Sequence, residues 1–303
     1  MRWALLPALI VAVALALSGC AQPGAPERPQ VVVTTNILGD VTKEVLGDQA
    51  EVTVLMQPNA DPHSFEISAQ QAALMGSADL VVSNGLGLEE GLQQHLDRAA
   101  KSGAPLLTAG EVIAVVPYSS GDAEGAADPH FWTDPAAMMD VVDAVESAAK
   151  DIDGIDANRL AASSAAYRDK LTELDADMTR AFGSIPKERR ALVTNHHVFG
   201  YLAQRFDFDV VGAVIPGGTT LAAPSAADLR QLSEAIRAAG VPTIFADSSQ
   251  PDRLVQVLAS EAGIEVQVAE LFTESLTGPD GGAATYLDMM RANTERIVSG
   301  LKP

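Results

Sequence analysis

Three of the five histidines stand in turn-rich segments, at positions where strands are expected to end. These three are His63, His130 and His196. In open α/β sheets, ligands gather at the carboxyl ends of the strands. Neutral imidazole is also the commonest side-chain ligand of metals in proteins. The placement of the three histidines therefore predicts a metal site at the ends of several strands.

An aspartate and a proline precede two of these histidines, in the tripeptides Asp61-Pro62-His63 and Asp128-Pro129-His130. A proline biases the residue before it towards extended backbone, which fixes the approach of the chain to the histidine. An aspartate two residues before a histidine could also hold one tautomer of its imidazole. We predict Asp61 and Asp128 as supports of the site.

The remaining histidines have weaker claims to a metal. His197 directly follows His196 at a predicted strand-to-helix junction. It could act as an alternate ligand or as a support of the true ligand. His95 lies within a helical pattern, and we expect it to be exposed or to cap the helix.

β-branched runs alternate with amphipathic segments along most of the chain. This alternation is typical of βαβ units and a parallel sheet. The predicted strands span residues 31–35, 52–56, 80–83, 191–194, 210–214, 243–246 and 265–268. The predicted helices span 38–46, 69–76, 88–100, 134–150, 156–183, 199–206, 225–239, 252–262 and 284–301.

One predicted helix, over 156–183, is much longer than the others. It contains no glycine or proline before Gly183, and its large residues recur every three or four positions. At 1.5 Å per residue it would span about 40 Å, enough to pass from one lobe to another. We predict an α/β fold of two Rossmann-like lobes, each a central sheet flanked by helices, joined by one long rigid helix. The predicted segments are a signal peptide over 1–20, a flexible tether over 21–30, an N-terminal lobe over 31–155, the linking helix over 156–183 and a C-terminal lobe over 184–303.

The first twenty residues have the pattern of an export signal. Arg2 precedes an apolar run, Trp3 to Leu17, which is too short to span a bilayer comfortably. The run ends in Leu-Ser-Gly-Cys, which resembles a bacterial lipobox and makes Cys20 the expected lipidated residue. Cys20 is the single cysteine of the chain, so no thiol remains for a disulfide or a metal. We expect an extracytoplasmic protein that a lipid anchors to the cell membrane.

The net charge and the motifs of the chain argue against two classes of function. The formal net charge of −20 argues against nucleic-acid binding, because phosphate contacts need clustered Lys and Arg. No His-Glu-x-x-His helix or Gly-x-Ser-x-Gly elbow occurs, so the chain is not predicted to be an enzyme.

Four segments resemble the metal-binding loops of one known family. They are Asp-Pro-His-Ser-Phe-Glu from Asp61, Asp-Pro-His-Phe-Trp-Thr-Asp-Pro from Asp128, His-His-Val-Phe-Gly-Tyr from His196, and Leu-Phe-Thr-Glu-Ser-Leu from Leu271. Together and in this order they resemble the zinc and manganese solute-binding lipoproteins of ABC importers, the ZnuA-like cluster A-I family.

The resemblance implies a set of four metal ligands. His63, His130 and His196 would be three, and Glu274 would take the fourth place, where family members usually have Asp. Asp247, which ends another predicted strand, is the second candidate carboxylate, as an alternate ligand or as a support. Water in place of the fourth ligand is the third possibility.

The resemblance also implies the function and the partners. The chain would capture zinc and deliver it to the permease of an ABC importer, as a monomer, with a metallochaperone as a possible loading partner. Three imidazoles and one carboxylate suit tetrahedral Zn²⁺, whereas Mn²⁺ prefers more oxygen ligands. Capture of manganese or iron by the same fold, or a metal-containing adhesin, are the alternatives.

Overall fold

The computed structural model describes residues 28–215, 217–249, 253–262 and 266–302. The predicted signal peptide, Cys20 and positions 21–27 of the predicted tether lie outside these described residues. Within them, we find no helix both long enough and apolar enough to cross a membrane.

Two four-stranded parallel sheets form the centres of the two lobes. The N-terminal sheet has the order β2-β1-β3-β4, and the C-terminal sheet repeats this topology as β6-β5-β7-β8. The predicted α/β fold of two lobes is confirmed. The strands are β1 (Gln30–Val33), β2 (Glu51–Val54), β3 (Leu80–Ser83), β4 (Leu106–Thr108), β5 (Ala191–Thr194), β6 (Asp209–Ala213), β7 (Thr243–Asp247) and β8 (Gln267–Leu271).

Helices connect the strands and cover the sheets. Their ends carry the expected signals: Asp134 caps a helix whose first residue is proline, and Ser225 forms a capping box. The helices are α1 (Asn36–Leu46), α2 (Ala69–Gly76), α3 (Gln93–Lys101), α4 (Pro135–Ala149), α5 (Ala157–Gly183), α6 (Gly200–Phe206), α7 (Ala226–Ala239), α8 (Arg253–Ala262) and α9 (Tyr286–Leu301). Short 3₁₀ turns cover Glu90–Leu92, Ala109–Glu111, Phe131–Thr133 and Lys187–Arg189.

The long helix α5 has the predicted bounds to within one residue. Asp156 caps it by accepting hydrogen bonds from the backbone N–H groups of Asn158 and Arg159, at 2.8 and 3.1 Å. The helix packs against α1, α4 and α9, so helices from both ends of the chain lie along it. Its buried residues are those that the spacing placed on one face: Leu160, Ser164, Tyr167, Leu171, Leu174, Met178 and Phe182.

One hydrophobic core runs through both lobes. Val33 of the N-terminal sheet, Leu174 of α5, and Phe245 and Leu271 of the C-terminal sheet all belong to it. Smaller clusters cover the opposite face of each sheet. A shared core of this kind opposes any wide separation of the lobes, because separation would expose apolar surface to water.

Two strands differ from the sequence-based prediction by more than two residues at an end or were not predicted at all. β4 was not predicted, because three residues between Pro105 and Ala109 are too few to show a period. β8 lies at Gln267–Leu271 rather than 265–268, so it ends three residues later than predicted. Because β8 continues to Leu271, Glu274 lies close to the carboxyl end of the strand, in the loop that follows it.

Candidate metal centre

His63 lies in the loop that follows β2. The Asp61 carboxylate accepts a hydrogen bond from the backbone N–H of His63 at 2.8 Å, which tightens the turn. The other oxygen of Asp61 accepts a hydrogen bond at 2.5 Å from the hydroxyl of Thr220, which belongs to the C-terminal lobe. Asp61 therefore orients His63 and also ties its loop to the other lobe.

His130 lies beyond β4 and is fully buried. Oδ1 of Asp128 accepts hydrogen bonds from the His130 backbone N–H at 2.9 Å and from its Nδ1 at 2.7 Å. With the proton on Nδ1, the lone pair of Nε2 is available to a metal, which is the usual role of a carboxylate behind a ligating histidine.

Residues at the start of α6, in the C-terminal lobe, contact Asp128. The hydroxyl of Tyr201, at the start of α6, donates a hydrogen bond to the Asp128 backbone oxygen at 2.8 Å. The preceding residue is Gly200, where a Cβ would lie 2.5 Å from Oδ2 of Asp128. Glycine is needed at this position because the carboxylate approaches the backbone of α6 so closely.

His196 follows β5 and is fully buried. The hydroxyl of Thr194, the last residue of that strand, donates a hydrogen bond to the His196 backbone oxygen at 2.7 Å. Nε2 of His196 lies 2.9 Å from Oε1 of Glu274.

Glu274 follows β8, and side chains from the N-terminal lobe hold the residues on both sides of it. The indole N–H of Trp132 donates a hydrogen bond to the Thr273 backbone oxygen at 2.8 Å. The amide of Asn36, the first residue of α1, donates to the hydroxyl oxygen of Ser275 at 2.7 Å. The position of the carboxylate therefore depends on both lobes.

The three histidines and Glu274 converge on one point, with one ligand atom from each lying within 4.8 Å of all the others. The Nε2 atoms of His63 and His130 are 3.3 Å apart, and Nε2 of His130 is 3.3 Å from Oε1 of Glu274. Bonds of about 2.0–2.1 Å to a tetrahedral metal place ligand atoms about 3.3–3.4 Å apart. These two separations fit a metal of this size.

Burial and charge set the protonation of the four side chains. Burial lowers the pKa of His63 and of His130, so both imidazoles are neutral at pH 7. Burial opposes the charge of His196 as well, but the Glu274 carboxylate outweighs it and raises the His196 pKa. The neighbouring imidazoles in turn overcome burial and lower the pKa of Glu274 to about 2. Glu274 therefore stays anionic, and its buried Oε2 accepts no hydrogen bond within the described part of the chain.

The two alternate candidates lie close to the group of four but outside it. Oδ1 of Asp247 accepts hydrogen bonds from the backbone N–H and the hydroxyl of Ser249, at 2.7 and 2.8 Å. Its Oδ2 is buried and has no hydrogen bond among the described residues. Burial and the nearby Glu274 charge raise the pKa of Asp247 to about 6. The His197 ring packs 6.2 Å from the ring of Tyr118.

Tyr118 is a site residue that the sequence reasoning missed. Its hydroxyl lies 3.4 Å from Nδ1 of His130 and donates a hydrogen bond at 3.0 Å to the backbone oxygen of Gly218 in the other lobe. Asn36, Tyr201 and Gly200 were missed in the same way. Each supports a ligand that is distant in the sequence, and no local pattern marks such a role.

Comparison with known proteins places this site in a family context. The sequence profile of the ZnuA family, "Zinc-uptake complex component A periplasmic", matches residues 31–300. The zinc-binding protein TroA of Treponema pallidum is 32% identical over 288 residues, which cover 93% of this chain and 92% of TroA. The manganese-binding lipoprotein MntA of Halalkalibacterium halodurans is 26% identical over 298 residues, covering 97% of each chain.

Solved structures share the whole fold. The structure of T. pallidum TroA superposes with a TM-score of 0.82 at 30% identity, and covers 91% of this chain and 100% of TroA. A manganese-bound mutant of a periplasmic metal-binding protein from Candidatus Liberibacter asiaticus also superposes with a TM-score of 0.82. It is 26% identical and covers 90% of this chain and 100% of its own.

Proposed function

We propose that this chain, which belongs to the ZnuA family, captures Zn²⁺ outside the cytoplasm and delivers it to the permease of an ABC importer. Proteins of this family are metal-binding components of importers, so the chain is a substrate-binding protein and not an enzyme. The metal is its cargo.

The observation that carries the proposal is the convergence of four buried side chains between the lobes. His63 and His130 come from the N-terminal lobe, and His196 and Glu274 come from the C-terminal lobe. Three nitrogen ligands and one oxygen ligand form the set that tetrahedral zinc accepts. We assign the four residues as the metal ligands on this basis.

Glu274 is our choice for the fourth ligand over Asp247 or water. Its carboxylate is anionic, fully buried and within 3.6 Å of Nε2 of His63, His130 and His196. Asp247 already accepts two hydrogen bonds from Ser249 on one oxygen. We assign Asp247 as a neighbouring charge, and His197 as a residue that packs beside the site.

Manganese is the second candidate cargo, and one observation favours it. Oδ2 of Asp247, which accepts no hydrogen bond from the residues that the structure describes, offers a further buried oxygen near Glu274. Mn²⁺ prefers more oxygen ligands than zinc does. The relatives named above include both a zinc-binding and a manganese-binding protein. The choice between the two metals therefore rests on the donor set, in which nitrogen predominates.

Metal entry requires loops to move, because the three histidines and Glu274 are each at most 2% exposed. The lobes correspond to 31–155 and 184–303, with 156–183 as the linking helix. Their shared core and the long helix oppose a wide hinge motion. We infer that the loops around Tyr118, Gly218 and Thr220 separate locally while the lobes stay together.

The location and partners follow from the same proposal. Cys20 would carry a lipid that anchors the protein to the outer face of the cell membrane. The permease is then the obligatory partner, a metallochaperone is an optional one, and the protein works as a monomer.

The proposal is tested in two steps. Competitive titration of the purified protein with Zn²⁺ and a chelator should give one tight site per chain, which His196→Ala weakens far more than His95→Ala does. In the native host, loss of the gene should impair growth in zinc-chelated medium, and the wild-type gene should restore growth where His196→Ala does not. Equal losses of zinc affinity from the two substitutions would contradict the assignment of His196 as a ligand. If added manganese alone restored growth, manganese and not zinc would be the cargo.

A further inference from the structure

Glu89 is a buried carboxylate outside the metal centre. It is 4% exposed and lies in the loop between β3 and α3. Oε1 accepts hydrogen bonds from the Thr34 hydroxyl at 2.6 Å and from the Asn84 backbone N–H at 2.7 Å. Oε2 accepts one from the Gly85 backbone N–H at 3.0 Å. These three donors are all neutral. Burial raises the pKa of Glu89, and the hydrogen bonds from Thr34, Asn84 and Gly85 oppose that rise and hold the carboxyl group in place.

One end of this hydrogen-bond network reaches the loop of His130. The side-chain amide of Asn84, which is fully buried, donates a hydrogen bond to the Pro129 backbone oxygen at 3.0 Å. Pro129 directly precedes His130. Glu89 holds the backbone of Asn84, and the side chain of Asn84 holds the backbone next to a metal ligand.

The other end of the network reaches the start of the His63 loop. The backbone oxygen of Thr34 accepts a hydrogen bond from the backbone N–H of Met56 at 3.0 Å. Met56 lies between β2 and His63. Glu89 thereby connects the carboxyl ends of β1 and β3 to both histidine loops of the N-terminal lobe.

We propose that Glu89 is a positioning residue for the metal centre, which holds the Asn84–Gly85 turn so that Asn84 fixes the backbone at His130. This inference rests on the proposed function of the four ligands. Glu89 touches neither the metal nor its ligands and acts through Asn84. If Glu89 only stabilised the lobe, its substitution would lower the free energy of unfolding, and any effect on zinc affinity would not depend on His130.

The substitution Glu89→Gln tests this role with almost no change in volume. Gln offers one acceptor oxygen, and its NH₂ group must face at least one of the backbone donors that Glu89 accepts from. The turn then loses a hydrogen bond and gains a repulsive contact. We expect the zinc dissociation constant to rise about tenfold, at the lower end of the effect of groups that support metal ligands. Glu51→Gln, at an exposed position of the same lobe and with the same change of charge, should alter the dissociation constant less than about twofold.

A double-mutant cycle separates positioning from general stability. If Glu89 acts through His130, Glu89→Gln should weaken zinc binding in the wild type but have no further effect in a His130→Ala background. A loss of the same size in both backgrounds would overturn the proposal. The absorption spectrum of bound Co²⁺ should change in Glu89→Gln and stay as in the wild type in Glu51→Gln, because it reports ligand geometry.

Asn84→Ala keeps the proposal testable if Glu89→Gln fails to fold. It preserves the backbone donors to Glu89 and removes the hydrogen bond to Pro129, so it should weaken zinc binding about as much. Wild-type affinity in a folded Asn84→Ala or Glu89→Gln variant would refute the inference while leaving the metal site intact. A wild-type protein that binds no zinc would refute the proposed function instead.

Discussion

Asp128→Asn tests how the protein prepares His130 for a metal. In the wild type, one oxygen of Asp128 accepts from both the backbone N–H and Nδ1 of His130, at 2.9 and 2.7 Å. Burial raises the pKa of Asp128 to about 7, so the comparison is made at about pH 8, where the carboxylate is mostly charged. Asn keeps an acceptor oxygen of the same shape but removes that charge. The amide can also turn its NH₂ group towards Nδ1, which favours the tautomer whose Nε2 carries a proton and cannot bind a metal.

The size of the effect follows from the hydrogen bonds that change. A hydrogen bond to a charged group contributes about 1.5–3 kcal/mol, against about 0.5–1.5 kcal/mol for a neutral one. Losing the charge therefore costs about 1–1.5 kcal/mol of metal binding, which raises the zinc dissociation constant about tenfold. Turning of the amide would take the loss towards 100-fold, the upper range for carboxylates behind ligating histidines.

Competitive zinc titration of the purified protein measures this loss. Asp122→Asn is the matched control, because it makes the same change at an exposed position in the same segment. Thermal unfolding of both variants without metal checks that the fold is retained. Undiminished zinc affinity in a folded Asp128→Asn variant, or an equal loss in the control, would refute the reasoning.

Three further predictions concern the charge and packing of the site. Zinc affinity should fall by about tenfold per pH unit below the raised pKa of His196, because zinc must displace its proton; the fall should therefore begin above pH 6.5. Gly200→Ala should weaken zinc binding, measured by the same titration, since its Cβ would lie 2.5 Å from Oδ2 of Asp128. Trp132→Phe should lower both zinc affinity and the free energy of unfolding, the latter by about 1 kcal/mol in chemical denaturation, because the hydrogen bond to Thr273 is lost.

Each of these predictions has a contradicting result. Zinc affinity that is equal at about pH 8 and about pH 5.5 would contradict the protonation of His196. Gly183→Ala is the control for Gly200→Ala, since the added Cβ would meet no heavy atom outside its own helical turn within 4 Å among the described residues. Equal losses of zinc affinity would exclude a specific contact at Gly200. Wild-type zinc affinity in Trp132→Phe would show that the Glu274 loop holds its position without the indole.

The elements that the sequence predicts well are those whose signal is local. The buried face of α5 is readable because residues such as Leu160, Tyr167 and Leu171 repeat with the helical period. The strand ends are readable because β-branched runs stop at turn residues. Parallel topology then places His63 and His196 beyond the carboxyl ends of their strands, which is why these two could be selected before the structure was known. His130 was selected because it repeats the Asp-Pro-His tripeptide of His63.

The residues that support the ligands could not be predicted, because they act across the lobes. Asn36 holds Ser275 over a separation of 239 residues, and Tyr201 holds Asp128 over 73. Such pairs depend on how the two sheets face each other, and a single sequence carries no signal for that arrangement. β4 was not predicted for a different reason: its three residues are too few to show a period.

A crystal structure of the zinc-loaded protein, with anomalous scattering measured at the zinc edge, tests the central claim most directly. We predict a single anomalous peak about 2.0–2.2 Å from Nε2 of His63, His130 and His196 and from one carboxylate oxygen of Glu274. A peak bound instead by Asp247 or His197, or one outside the space between the lobes, would contradict it.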